Sequence, residues 1–318
     1  MAAVLEVLAP GLLTTVQDAG RRGFGDLGVP ISGACDPWSL AVANALLGND
    51  PDAAALECTL IGPELRALGD VAVAVAGADL EAEIRPSGRR VMPGTTAWLR
   101  SGEVLALPSP ADAGARAYVA IPGGIDVPAV LGSRSTCLVA GFGGFEGRAL
   151  RAGDLVLAAR SAPGSGWRDG LPWPGPHTPP GGGPVRILPG PDSNTGLLAA
   201  LAATVWTVSP SSDRRGVRLI GEALTTVSTA GERLTTGVLP GTVQLPPDGQ
   251  PIVLLADAQP TGGYPVIGVV IEADLPIVGQ LATGDEARFE VVDPDEARAS
   301  NLARRAEFEA AVGALRAG

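Results

Sequence analysis

Two stretches of the chain concentrate residues able to do chemistry. Leu12 to Pro37 places Gln17, Asp18, Arg21, Arg22, Ser32 and Asp36 in a glycine-rich, non-helical run. That run ends at an expected helix N-terminus, where backbone N–H groups can receive an anion. Asp257 to Pro265, DAQPTGGYP, separates the apolar runs Pro251 to Ala256 and Val266 to Ile271, although a plain hairpin needs only two turn residues. Here Gln259 and Thr261 are polar, Gly262 and Gly263 permit close backbone approach, and Tyr264 adds a donor beside an apolar face. Backbone amides so arranged can stabilise an oxyanion or a phosphate. A plainer alternative stands beside this reading: Asp18 closes a turn, and Asp36 is only a helix cap.

A third polar cluster is Ser211 to Gly221, SSDRRGVRLIG. Asp213 with Arg214 or Arg218 is most simply an ion pair across strands. A functional reading gains weight because similar chemistry returns in TVQLPPDGQP, Thr242 to Pro251, and again in DAQPTGGYP.

Absences narrow the chemistry further. All 23 basic residues are arginine, which removes the Walker lysine, Schiff-base chemistry and covalent attachment of biotin to this chain. The single histidine, His177, lies in PWPGPHTPPGGGP, a poor setting for a general base. Cys35, Cys58 and Cys137 are widely spaced, with no CxxC or HExxH pattern, so neither a metal site nor a disulfide framework is expected. GFGDLG, Gly23 to Gly28, matches a dinucleotide fingerprint by letter, but Val29-Pro30 follows where a helix should open.

The elements that must position these residues are short strands with many turns. Gly (44) and Pro (29) are abundant and aromatics make up only 4%, so the core must be Val, Ile, Leu and Ala. Strands are expected at Val71 to Gly77, Thr96 to Leu99, Val104 to Leu107, Ala115 to Ile121 and Asp154 to Ala159, at a spacing that suits a barrel or sandwich. One helix interrupts them, with Asp36 as cap, Pro37 in its first turn and Gly48 at its end.

Ser161 to Pro184 is so rich in Gly and Pro that it reads as a linker between residues 1–160 and 185–292. Strands then resume, with a helix begun by Ser193 and a final helix over 293–318. A net charge of −11 and few aromatics argue against nucleic acid. With no run of eighteen apolar residues and no signal-like start, a cytoplasmic chain with no membrane partner is expected.

The ordered set GLLTTVQDAGRRG, GVPISGACDPWSLAVANALLGN, ALECTLIGPEL, YVAIPGGIDVPAVLGSRST, SDRRGVRLIG, GTVQLPPDGQPIVLLADAQPTGGYP and GQLATGDEARFEV closely resembles the allophanate hydrolase subunit 2 family. This family is also called the biotin-dependent carboxyltransferase family, and it includes the C subunit of bacterial 5-oxoprolinase. The resemblance covers nearly the whole chain. It implies a mainly β protein of two related subdomains with cyclophilin-like β-barrels, working with a smaller subunit 1 or B.

Three branches remain open, because fold does not choose among them. In the leading one, a third subunit joins and 5-oxo-L-proline is opened to glutamate with ATP. In the second, carboxyl groups move to urea from biotin carried on another chain. The third resembles regulators that bind an inhibitor of a sporulation kinase.

The resemblance also implies that the loop from Gln17 to Asp36 faces DAQPTGGYP across a cleft between the subdomains. There Asp36 or Asp18 is expected to handle protons or position water, and Arg21 or Arg218 to hold a substrate carboxylate. The Thr261-Gly262-Gly263 amides would stabilise charge developing on the amide oxygen. Gln17, Ser32, Gln259 and Tyr264 complete the expected substrate-binding set. The family pattern usually has methionine where Cys35 and Arg215 stand, threonine where Pro260 stands and Ser-Glu where Thr235-Thr236 stand, departures expected to retune the substrate or abolish turnover.

Overall fold

The computed structural model describes residues 3–110, 114–159, 168–176, 183–225 and 234–317. In the first half, strand Val71–Gly77 shows how the sequence makes a layered fold. Side chains alternate faces along a strand, and here Val71, Val73 and Val75 enter one core while Ala72, Ala74 and Ala76 enter another. The valines fill the space between two sheets. The alanines are short enough to let a helix lie close on the outer face.

That strand belongs to a five-stranded sheet in the order Leu13–Gln17, Ala55–Thr59, Arg116–Ala120, Val71–Gly77, Thr95–Leu99. Facing it is a six-stranded sheet in the order Leu155–Leu157, Ala3–Ala9, Glu64–Ala67, Val104–Ala106, Glu83–Arg85, Arg89–Arg90. Leu5, Val7, Leu65, Ile84 and Leu105 from the second sheet meet Val16, Leu56 and Val119 from the first. Helix α1, Pro37–Leu46, covers the alanine face. As expected, Asp36 caps it by accepting from Ser39 N at 2.9 Å, and Gly48 leaves it at φ 64°.

The second half is built on an eight-stranded sheet, with a separate two-stranded pair, Thr236–Gly237 and Thr261–Gly262, beside it. The order of the larger sheet is Glu286–Ala287, Trp206–Val208, Gly216–Ile220, Ile252–Leu254, Thr242–Gln244, Val266–Val270, Val185–Pro189, Phe289–Val291. The two outer strands are one segment interrupted only at Arg288, so the sheet curls until its ends meet in a nearly closed barrel, which leaves little exposed edge. Trp206, Val217, Val243, Val253, Ile267 and Phe289 form its core with Leu197 and Leu201 of helix α2, Thr195–Ala203. The fold is thus mainly β with barrel architecture.

The α2 cap is Asn194, not Ser193: the Asn194 amide oxygen accepts from Leu197 N at 2.9 Å, while the Ser193 hydroxyl turns back to Gly190 O at 2.7 Å. Helix α3, Leu275–Gln280, and helix α4, Pro294–Ala317, tie the halves together. Phe308 of α4 meets the Trp38 ring edge-on at a centroid distance of 5.5 Å and Trp173 at 5.4 Å. Trp173 is buried, and residues 168–176 run along the edge of strand Thr95–Leu99, where Trp173 N donates to Gly94 O. His177 lies outside the described residues.

Candidate active site

A cleft of about 560 Å³ opens between the halves. One wall is the turn that carries Arg22, Gly25, Asp26, Val29 and Ile31; the other is Gly237 to Pro240 with Ala258 to Thr261. A Cβ on Gly25 would stand 3.5 Å from Pro260 Cβ, so the walls nearly touch at that point. The GFGDLG segment forms a single 3-10 turn, Gly25–Leu27, that ends in the left-handed Gly28. In the second wall, Thr261–Gly262 pairs antiparallel with Thr236–Gly237, which orients the backbone along the cleft.

Behind the first wall, buried polar groups are left with unfilled capacity. Gln17 Oε1, Arg21 Nη1 and Ser32 Oγ are all buried and make no hydrogen bond among the described residues. Arg21 and Ser32 are next in sequence to the wall residues Arg22 and Ile31, and Arg21 N donates to Ile31 O at 2.8 Å. Gln17 lies deeper, its Nε2 donating to Thr15 Oγ1 at 2.9 Å and to Thr136 O at 3.2 Å. The rest of Arg21 is held by Ser135 O, by Val130 O at 3.4 Å and by the face of Phe142 at 4.8 Å. Desolvation lowers its pKa below the usual guanidinium value, with Cys137, Asp18 and Asp257 opposing. Ser32 has φ 54°, a left-handed backbone that costs a residue with a side chain, and strain of this kind concentrates at functional sites.

Asp18 spends its carboxylate on the loop beside it. Its oxygens accept from Gly20 N at 2.8 Å, Ser133 Oγ at 2.6 Å, Arg134 N at 2.5 Å and Ser135 Oγ. Asp36 is fully buried, with Ser39 N at 2.9 Å, Ser39 Oγ at 2.5 Å and Gln280 Nε2 at 2.7 Å on its two oxygens. Burial raises its pKa, against hydrogen bonds from Gln280 and Ser39. In this conformation both carboxylates hold chain segments together.

Asp36 lies at the edge of a buried junction between the halves. Glu57, 1% exposed, accepts from Arg214, from Tyr118 Oη at 2.7 Å and from Cys35 N at 2.8 Å, with Arg116 Nε 3.7 Å away. Burial alone would raise the Glu57 pKa, but Arg214 and Arg116, with the Cys35 and Tyr118 hydrogen bonds, bring it below the ordinary carboxylate value. Burial, then Glu57 and Asp36, push the Tyr118 phenol well above its usual value. Burial pushes the Cys35 thiol up to about 11. All three groups therefore keep one protonation state through neutral pH.

Of the expected site residues, Gln259 and Thr261 line the cleft, while Arg21 and Ser32 are buried behind their lining neighbours Arg22 and Ile31 and Gln17 is buried further back. Gly262 is buried beside the cleft, where a Cβ would come 2.3 Å from Gln244 Nε2. Gly263 and Tyr264 are exposed at the turn beyond. Arg218 is exposed and is absent from the cleft lining; its backbone N donates to Ser212 Oγ at 3.0 Å. Sequence reasoning missed Glu57, Arg116, Tyr118 and Gln280, and it gave Arg214 the wrong partner: Asp213 pairs with Arg215, while Arg214 turns inward to Glu57 and Asp257. A signal existed: Glu57 and Arg116 are lone charges inside the otherwise apolar strands ALECT and RAYVA, and a buried charge demands a partner. Among the described residues no group of three His, Cys, Asp or Glu is placed to hold a metal, and no helix is long and apolar enough to cross a membrane.

Comparison with known proteins supplies a context for this geometry. The family model "Carboxyltransferase domain, subdomain A and B" matches residues 27–291. The C subunit of 5-oxoprolinase from Escherichia coli K12 is 40% identical over 309 residues, covering 96% of this chain and 97% of that protein. The crystal structure of TTHA0988 matches at TM-score 0.81 and 36% identity over 90% of this chain and 56% of that one. The crystal structure of K. lactis urea amidolyase matches at TM-score 0.87 and 30% identity; 97% of this chain is covered, but only 20% of that much longer one.

Proposed function

Since the chain belongs to the carboxyltransferase-domain family, subdomains A and B, we propose that it is the C-type subunit of an ATP-dependent 5-oxoprolinase, acting on a cyclic amide together with partner subunits. The observation that carries this reading is the 40% identity that runs over 96% of this chain and 97% of the relative. The likeness to urea amidolyase supports the alternative, transfer of a carboxyl group from biotin held on another chain, more distantly, because at 30% identity it spans only 20% of that chain. This chain has no lysine on which to carry biotin.

The cleft suits a small lactam with an attached carboxylate. Arg21 and Ser32 supply buried donors for the carboxylate, and Gln17 Oε1 supplies an acceptor for the lactam N–H. Thr261 and the backbone around Gly262 face charge that develops on the amide oxygen. Asp18 and Asp36 act by holding the loops that present these groups.

ATP does not fit the glycine-rich segment here: no α-helix opens directly at Gly28, the next one starting only at Pro37, and Asp26 adds an opposing charge. Nucleotide binding is therefore assigned to the assembled complex. The test is to co-purify the chain with its partner subunits and measure ADP and glutamate release with 5-oxo-L-proline, with urea plus bicarbonate as comparison. Glutamate formed only by the full complex supports the reading. Turnover with urea alone would replace it.

A further inference from the structure

The two cleft walls come from different halves of the chain, and one side chain behind them reaches both. Arg214, 4% exposed, donates from Nη2 to Gly33 O at 2.7 Å, two residues after the wall residue Ile31. Its Nε donates to Asp257 Oδ2 at 2.9 Å, directly before the wall residue Ala258. Its Nη1 goes to Glu57, with Cys35 Sγ at 3.4 Å. The backbone repeats the same links, with Ser32 N on Ala256 O at 2.8 Å and Asp257 N on Arg214 O at 2.9 Å.

We propose that Arg214 is the positioning residue of the cleft: it fixes the separation and register of the two walls and so places the substrate between Arg21 and Thr261. A guanidinium can do this because its donors project in fixed directions within one plane, so three acceptors from two halves are held at once. Glu57 and Asp257, one from each half, would repel across the junction without the cation between them. An ammonium at this position could satisfy one acceptor in good geometry but not three.

The substrate placement, though not the wall spacing, rests on the function proposed above, so the test has two arms. In the kinetic arm, Arg214→Met, Arg214→Lys and Asp257→Asn are assayed in the assembled complex with 5-oxo-L-proline. KM should rise and kcat/KM fall, by about 100-fold for Arg214→Met, with Arg214→Lys recovering part. A purely structural role would reduce the amount of active complex, lowering apparent kcat and leaving KM unchanged.

In the distance arm, spin labels on Asp26→Cys and Leu239→Cys report the cleft width in the full chain; both positions are exposed, and all three native cysteines are buried. The distance distribution should be narrow in the otherwise unaltered chain, broadened or shifted in Arg214→Met and Asp257→Asn, and narrow in the first-half core control Leu105→Ala. If Arg214→Met does not fold, Arg214→Lys and Asp257→Asn decide the matter. Unchanged KM and an unchanged distribution in the variants would overturn the proposal. If the unaltered complex leaves 5-oxo-L-proline untouched, the functional reading falls, and the distance arm alone decides the role of Arg214.

Discussion

The junction and the cleft lie side by side between the same two halves, yet they treat buried polar groups in opposite ways. In the junction Gln280 uses both ends of its amide, with Oε1 accepting from Ala115 N and Arg116 N and Nε2 donating to Asp36 and Arg116 O. Glu57 and Asp36 are similarly filled, and Arg116 Nε, 3.7 Å from Glu57, is the exception. Behind the cleft, Gln17, Arg21, Ser32 and Gln244 each keep an unfilled atom. Buried polar atoms in folded proteins are nearly always paired. Unfilled buried atoms also occur away from the cleft, at Trp38, Thr59, Trp98 and Trp173, so it is unfilled capacity together with a place behind the cleft walls that marks Arg21 and Ser32 as groups with room for a ligand.

The comparison would break if a junction change altered activity without altering stability. Gly279→Ala is the strongest such probe after the Arg214 variants. The new Cβ would lie 2.1 Å from Cys35 O and 3.1 Å from Asp36 N, both backbone, so the halves must separate. A loss of about 1–3 kcal/mol is expected by chemical denaturation.

Titration sharpens the same contrast, because two junction carboxylates are shifted oppositely. Asp36 is raised by burial, so the folded state holds its proton longer and stability falls as pH climbs from the ordinary Asp range toward the raised value. Glu57 is lowered by Arg214 and Arg116 against burial, so its contribution is present above the ordinary Glu value and is lost as pH falls through the lowered one. Asp36→Asn should flatten the first slope and Glu57→Gln the second, each by up to about 1.4 kcal/mol per pH unit. Denaturation midpoints across pH would show slopes of the same sign if this assignment were wrong.

The smallest stability effect is expected in the cleft. Ser32→Gly removes an unbonded hydroxyl and relieves a positive φ, so stability should stay within about 0.5 kcal/mol of the parent. KM for the substrate should nevertheless rise several-fold, by about the value of one hydrogen bond. An unchanged KM would move Ser32 from the cleft groups to the structural ones.

Much of this was legible in the chain itself. Asp36-Pro37 and Gly48 marked both ends of α1 because capping is local chemistry. The run Val71–Gly77 was legible as a strand, and the structure adds that its valines and alanines are buried on opposite faces. The glycine-rich loop and DAQPTGGYP stood out because polarity and backbone freedom interrupt apolar runs, and the structure sets their cleft-lining parts across from one another. Arg218 was a natural choice among the arginines of SDRRGVRLIG, since spacing alone does not say which one points inward.

What the sequence determined by itself was local and periodic: strand positions, the ends of α1, the absence of lysine chemistry and the shared motifs of a family. What only the tertiary structure decided was which charges meet. Glu57, Arg214 and Asp257 are separated by 157 and 43 residues, and whether each is a solvated surface charge or part of a buried ion network depends on two sheets and a barrel closing around them. That closure follows from the summed burial of many apolar side chains, and no short window of sequence contains it.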